Sequence, residues 1–119
     1  MRSTLFFLCV GIAAATAGGS LIQNVPPRAA GRRNPFEGDE HALRAGAKLY
    51  ARECASCHGS NREGLRHAPP LLQPEVQRAA SGTLFWVLRN GSLHRGMPSF
   101  AHLPEAQRWQ IVTFLKRSP

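Results

Sequence analysis

Cys54-Ala55-Ser56-Cys57-His58 is the stretch that decides the fold of this chain. Two cysteines separated by two residues and followed directly by a histidine form the C-x-x-C-H pattern, which is typical of covalent haem attachment. The two thiols can form thioethers with the two vinyl groups of haem, and the adjacent histidine can then bind the iron. We therefore predict one haem c per chain, held covalently through Cys54 and Cys57, with His58 as an axial ligand.

Two other uses of a closely spaced cysteine pair fit this sequence less well. A structural zinc site needs four ligands, and neither a second cysteine pair nor a spaced histidine pair follows. A thioredoxin-like redox pair needs a βαβ context, and no stretch nearby shows the alternation of a strand. The third cysteine, Cys9, lies in the apolar N-terminal stretch and needs no disulfide partner.

The N-terminal residues 1–22 have the features of a targeting segment. Arg2 is followed by the uncharged apolar run 5–15, and Ala15-Thr16-Ala17 fits a small-x-small cleavage site. The uncharged stretch continues to Ile22, however, and is then just long enough for an uncleaved anchor. We interpret residues 1–22 as a signal peptide or an N-terminal membrane anchor. Both interpretations predict export, to the periplasm or the outer face of the cytoplasmic membrane.

Residues 23–38 are rich in proline, glycine and arginine and poor in apolar residues, which predicts an extended linker. Residues 39–118 then form the domain. A domain of roughly 80 residues gains little net stability from burial alone and is usually stabilised by a crosslink or a bound group. A covalently attached haem would supply that stabilisation.

The net charge of the chain is +8, from fifteen Lys and Arg against seven Asp and Glu. Basic proteins often bind nucleic acid or anionic membranes, but this sequence contains no dense basic run. We therefore expect no nucleic-acid partner. The charge is compatible with a docking field for acidic redox proteins and equally with an ordinary solvated surface.

Apolar periodicity and helix-capping residues predict an all-α fold. A first helix is expected from the cap at Asp39 to Cys54, a short one from Ser81 or Thr83 to Asn90-Gly91, and a last one from Pro104 to Arg117. A minor helix is expected near residues 74–80. The fold class is thus a small all-α domain, with three main helices and long loops around one haem.

Met97 is the predicted second axial ligand. It stands in a loop between Gly96 and Pro98, and the only other methionine is Met1. The alternatives are an open position or a histidine: His67, His94 or His102. A thioether favours ferrous iron and raises the reduction potential. With His58 it would leave no vacant position, which suits electron transfer rather than catalysis at the iron.

The chain resembles class I c-type cytochromes of the bacterial monohaem kind over about residues 35–117. The motifs that carry the resemblance are Asn34-Pro35, Gly46-x-x-Leu49-Tyr50, Cys54-x-x-Cys57-His58-Gly59, Pro69-Pro70-Leu71, Phe85-Trp86-x-x-x-Asn90-Gly91, Gly96-Met97-Pro98-Ser99-Phe100 and Trp109-x-x-Val112-x-Phe114-Leu115. The resemblance implies that Gly46 and Tyr50 meet Ile111 and Phe114 where the first and last helices cross.

The resemblance also implies roles around the haem. Pro69 would offer its carbonyl oxygen to the ring N–H of His58, although a simple turn is the alternative for this proline. Trp86 would pack near the haem, with ordinary core packing as the alternative. Arg89 is a candidate partner for a haem propionate. The alternative is that Arg89 is simply exposed to solvent.

The function that these features imply is an exported one-electron carrier, not an enzyme. It would pass electrons between respiratory or dehydrogenase partners, which are redox proteins with acidic docking surfaces. One alternative is a haem enzyme or gas sensor with an open sixth position. Another is a dedicated cytochrome subunit of a membrane dehydrogenase or oxidase complex.

Overall fold

The structure, a computed structural model, describes residues 21–118 of the chain. The predicted signal peptide or anchor therefore lies outside the described residues, except for Leu21 and Ile22. The described part contains no β-strand and forms six α-helices: α1 Pro27–Ala30, α2 Glu40–Glu53, α3 Ala55–His58, α4 Pro74–Arg78, α5 Ser81–Asn90 and α6 Glu105–Leu115. Two 3₁₀ turns, Leu21–Asn24 and Leu93–Arg95, complete it. The all-α class is confirmed.

The first long helix, α2, begins at the predicted cap. The side chain of Asp39 accepts hydrogen bonds from the backbone N–H groups of His41 (2.8 Å) and Ala42 (3.0 Å), which otherwise have no partner at a helix start. The buried residues of α2 recur at helical spacing: Ala42, Gly46, Leu49 and Tyr50. The apolar face therefore continues directly into Cys54.

Helices α2 and α6 cross in contact at Gly46. A Cβ atom at this glycine would lie 2.7 Å from the carbonyl carbon of Gln110 and 3.0 Å from the Cβ of Phe114. One turn further along α2, the rings of Tyr50 and Phe114 lie 5.2 Å apart. The helix crossing has the close approach that the sequence implies, because only a residue without a side chain fits at Gly46.

The hydrophobic core lies between α2, α5 and α6. Phe85 of α5 stacks on Trp109 of α6 with ring centroids 3.8 Å apart and an interplanar angle of 15°. Ile111 and Val112 of α6 are fully buried. Cys54 belongs to the same apolar cluster, so the C-x-x-C-H motif starts inside the core.

The segment 21–36 overlaps the predicted linker, residues 23–38, and is not fully extended. Its helix α1 starts with Pro27, whose fixed φ suits a first helical position. The backbone of this segment lies against α5 at Gly82, where a Cβ would come within 2.6 Å of the carbonyl oxygen of Ala30. Asn34 donates a hydrogen bond to Thr113 of α6 at 2.9 Å. The segment is therefore packed onto the domain.

Arg32 explains why the composition is misleading here. Its guanidinium lies 4.7 Å from the ring centroid of Phe85 and 5.5 Å from that of Trp109, and it pairs with Glu105 at 2.6 Å. Cation–π contacts of this kind attach an arginine-rich segment to an aromatic surface, in addition to the packing of Ile22 and Phe36 against the core. Local composition does not reveal such a contact.

None of the helices between residues 21 and 118 is long and apolar enough to cross a membrane.

Candidate functional site

The C-x-x-C-H motif lies at the junction of α2 and α3. Cys54 ends α2 and is buried, whereas Cys57 is exposed on the single turn of α3, and the two form no disulfide. The backbone N–H of His58 donates to the carbonyl oxygen of Cys54 at 3.0 Å, which closes the turn. Before haem attachment, burial raises the pKa of the Cys54 thiol to about 12.

His58 has one ring nitrogen engaged and one available. Its Nδ1 lies 2.9 Å from the carbonyl oxygen of Pro69. Because a carbonyl oxygen only accepts, Nδ1 carries the proton in this contact, and Nε2 keeps its lone pair. An imidazole fixed in this tautomer is a suitable axial ligand for a metal. The contact is the one that the resemblance implies for Pro69.

Hydrogen bonds to backbone carbonyl oxygens fasten the loop between His58 and Leu71, called the 59–71 loop below. The hydroxyl of Tyr50 donates to the carbonyl oxygen of Gly59 at 2.6 Å. The N–H of Gly64 donates to the carbonyl oxygen of His58 at 2.7 Å. Gly59 has a φ of 87°, a conformation that favours glycine. The proline that contacts His58 is therefore carried by an ordered loop.

Met97 lies in a second ordered loop, which follows α5. Two backbone hydrogen bonds join Ser92 and Met97, at 2.8 and 3.0 Å, and enclose the 3₁₀ turn. The N–H of Phe100 then donates to the carbonyl oxygen of Leu88 at 2.8 Å, which ties the loop back to α5. Met97 is half-buried and packs against the apolar cluster that contains Cys54. The thioether is thus held by the same core as the motif.

Trp86 is half-buried on α5. It lines an open cleft of about 620 Å³ together with Leu21, Asn24 and the residues 90–95. Neither His58 nor Met97 lines this cleft. The structure therefore brings Trp86 together with the loop that precedes Met97, and its place near a haem stays a prediction.

The alternative histidine ligands have different surroundings from Met97. His67, His94 and His102 are all exposed. His94 contacts the Ser92 hydroxyl at 3.2 Å, and the ring of His102 lies 6.0 Å from that of Phe100. Met97 is half-buried against the core cluster, whereas the three histidines are exposed.

The donors at the site fit a haem c better than a bare metal ion. Within residues 21–118, no group of three or more His, Cys, Asp or Glu side chains could hold a metal. The motif and the second loop offer two thiols, one imidazole nitrogen and one thioether. This set matches two thioether links to a porphyrin and two axial ligands to its iron, and it lacks the four ligands of a zinc site.

Sequence reasoning missed Arg62. Its side chain is buried, and Nη1 donates to the carbonyl oxygens of Phe114 (3.1 Å) and Arg117 (2.8 Å), more than fifty positions along the chain. The residue stands in a polar stretch with no apolar period, which predicts a solvated loop. No local signal identifies it.

Comparison with known proteins agrees with this geometry. Residues 41–115 match the family described as "Cytochrome C oxidase, cbb3-type, subunit III". The quinohemoprotein alcohol dehydrogenase ADH-IIG of Pseudomonas putida is 36% identical over 87 residues, which are 71% of this chain and 12% of that protein. The chain thus spans about an eighth of the length of this curated relative.

A solved structure supports the fold. Cytochrome cL of the marine methylotrophic bacterium Methylophaga aminisulfidivorans matches with a TM-score of 0.60 and 24% identity, over 70% of this chain and 57% of that one. At this identity the likeness concerns the fold alone. The family match covers more than half of the chain, from the start of α2 to the end of α6. The chain therefore belongs to this family and is a class I c-type cytochrome domain.

Proposed function

We propose that this cytochrome domain is an exported one-electron carrier and not an enzyme. Its haem c is attached through Cys54 and Cys57, and its iron is ligated by His58 and Met97. The observation that carries the proposal is the contact between His58 Nδ1 and the Pro69 carbonyl oxygen at 2.9 Å, because it leaves Nε2 free for the iron. When bound, the haem supplies a reversible Fe(III)/Fe(II) couple.

In this proposal the neighbouring residues position the two iron ligands, His58 and Met97, and take no part in a reaction. Pro69 keeps the His58 ring in one tautomer and orientation, and the hydrogen bonds between Ser92 and Met97 fix the second loop. Met97, which packs against the core, would hold the iron together with His58. A haem held by both residues would supply electron transfer and leave no site at which oxygen or peroxide could react.

The proposed partners are redox proteins that meet this domain through acidic surfaces. The net charge of +8 would orient such encounters. The named similarities, to a quinohemoprotein alcohol dehydrogenase and to a family of oxidase subunits, support a dehydrogenase as electron donor and an oxidase as acceptor. No feature favours nucleic acid. We place the domain in the periplasm or on the outer face of the cytoplasmic membrane, with the leader cleaved or kept as an anchor.

A second candidate is a cytochrome dedicated to one dehydrogenase. It is favoured by the 36% identity to part of a quinohemoprotein dehydrogenase. Purification of the tagged protein from its host separates the two candidates. A dedicated subunit co-purifies with a large dehydrogenase and exchanges no electrons with other donors. A free carrier is isolated alone and is reduced by several donors.

Met97→Ala tests the proposed ligation, with Leu93→Ala as the matched control. Leu93 lies in the same loop but is 84% exposed, so its loss leaves the core unchanged. We expect the reduced wild-type protein and the control to remain low-spin and not to bind carbon monoxide. Met97→Ala is expected to bind it, with a lower reduction potential. Carbon monoxide binding by the wild-type protein, unchanged in Met97→Ala, would instead support the enzyme or gas-sensor alternative.

A further inference from the structure

Arg62 has an unusual conformation and environment for an arginine in a loop. Among the described residues it is the non-glycine residue with a positive φ, 61°. Its exposed fraction is 7%, although the neighbouring Asn61 and Glu63 are exposed. An arginine is rarely buried without partners and rarely adopts this backbone conformation. The contacts around Arg62 must therefore offset two costs, the burial of its charged side chain and its positive φ.

The guanidinium group of Arg62 caps the last helix. Nη1 donates to the carbonyl oxygens of Phe114 at 3.1 Å and of Arg117 at 2.8 Å, and Cζ lies 4.6 Å from the ring centroid of Phe114. The last carbonyl groups of an α-helix have no partner within the helix, and a cation is favourable at this end of the helix dipole. The side chain thus attaches the 59–71 loop to the end of α6.

The backbone of Arg62 is hydrogen-bonded to residues on either side of the His58–Pro69 contact. Its carbonyl oxygen accepts a hydrogen bond from the N–H of Leu71 at 2.9 Å, two positions after Pro69. Its N–H donates to the carbonyl oxygen of Gly59 at 3.2 Å, directly after His58. Arg62 is therefore hydrogen-bonded near both ends of the 59–71 loop. The His58–Pro69 contact joins the same two ends.

We propose that Arg62 is a positioning residue that sets the strength of the hydrogen bond from His58 to Pro69. Through its side chain the loop is fixed to α6, and through its backbone the Pro69 segment is held against His58. This inference rests on the proposed function in one respect, that His58 ligates the iron. A strong bond at Nδ1 makes the imidazole more basic and stabilises Fe(III). Loosening the bond must then favour Fe(II) and raise the potential.

The test compares Arg62→Gly and Arg62→Lys with the control Arg117→Gln in the holoprotein. Glycine adopts a φ of 61° without strain, so this change removes the guanidinium and adds no backbone cost. Lysine restores a cation that can donate to the same carbonyl oxygens. The side chain of Arg117 is exposed and pairs with Glu40 at the same end of α6, so the control removes an arginine there without touching the 59–71 loop.

Two quantities are measured: the midpoint potential, and the exchange rate of the His58 Nδ1 proton in the reduced, diamagnetic protein by NMR. For Arg62→Gly we expect faster exchange and an increase of about threefold in the equilibrium constant for reduction, which corresponds to about 28 mV. Arg62→Lys is expected to recover most of both changes, and Arg117→Gln to show neither. If Arg62→Gly does not yield folded holoprotein, Arg62→Gln is measured in its place.

Unchanged potential and unchanged proton exchange in Arg62→Gly would overturn the inference, even if the variant were less stable to denaturant. A change in both quantities that Arg62→Lys fails to reduce would also count against it. If Met97 does not bind the iron, the exchange is measured in the carbon monoxide complex of the reduced protein, which is also diamagnetic, so the measurement still reports the His58–Pro69 bond. Carbon monoxide binding by the wild-type protein would therefore refute the proposed axial pair and leave the test of Arg62 intact.

Discussion

Substitution of Gly46 by alanine tests the helix crossing on which the fold depends. An added Cβ would lie 2.7 Å from the carbonyl carbon of Gln110 and 3.0 Å from the Cβ of Phe114. The first of these neighbours is backbone of α6, which cannot move aside as the end of a flexible side chain can. The two helices must therefore separate, and the contact between Tyr50 and Phe114 must loosen with them.

The expected cost is the difference between two opposing effects. Alanine is better than glycine inside a helix by about 1 kcal/mol. Overpacking of a well-packed contact costs about 1–3 kcal/mol, and a clash with backbone belongs at the upper end of that range. We therefore expect Gly46→Ala to lower the free energy of unfolding by about 2 kcal/mol.

The assay is guanidinium chloride unfolding of the holoprotein, followed by circular dichroism. Gly31→Ala is the matched control, because Gly31 has a φ of −75° and an added Cβ there would lie 3.4 Å from its nearest neighbour. We expect the control to unfold like the wild-type protein. A Gly46→Ala protein as stable as the wild type, or more stable, would refute the close approach of α2 and α6.

Three further predictions concern other parts of the domain. Gly82→Ala should lift the segment 21–36 from α5, because the new Cβ would overlap the carbonyl oxygen of Ala30; faster tryptic cleavage within residues 28–33 checks this, and an unchanged rate contradicts it. Burial raises the pKa of Tyr50 to about 12, so the unfolded state loses this proton first and stability should fall between pH 10 and pH 12. Unfolding titrations should show a smaller fall in Tyr50→Phe, and an equal fall would assign it to other groups. Intact mass should show retained haem in Cys57→Ser through Cys54 alone and none when both are serine; haem mass on the double variant would disprove attachment at these positions.

The helices could be predicted well from the sequence because their signals are local. The first was expected from its cap at Asp39 to Cys54, and α2 spans Glu40–Glu53. The other two long helices, α5 and α6, start and end within a few residues of the expected positions. Periodic apolar residues and end signals such as Asn90-Gly91 act over one or two turns, so they can be recognised without knowledge of the fold.

The parts that could not be predicted depend on contacts between distant residues. Arg32 and Arg62 both look like solvated arginines in polar stretches, yet one stacks on Phe85 and the other caps the end of α6. Such contacts follow from the arrangement of the helices and not from the neighbouring sequence. Only part of the candidate site could be predicted from local sequence. Its cysteines and His58 form one motif, whereas the Pro69 contact was anticipated only through the resemblance.

We propose that this domain carries single electrons on a haem c whose axial positions are filled by His58 and Met97. A potentiometric titration of the exported holoprotein, followed by its absorption spectrum, tests it most directly. We expect one reversible one-electron transition between two low-spin states. A high-spin spectrum in either state, or the absence of a reversible transition, would contradict it.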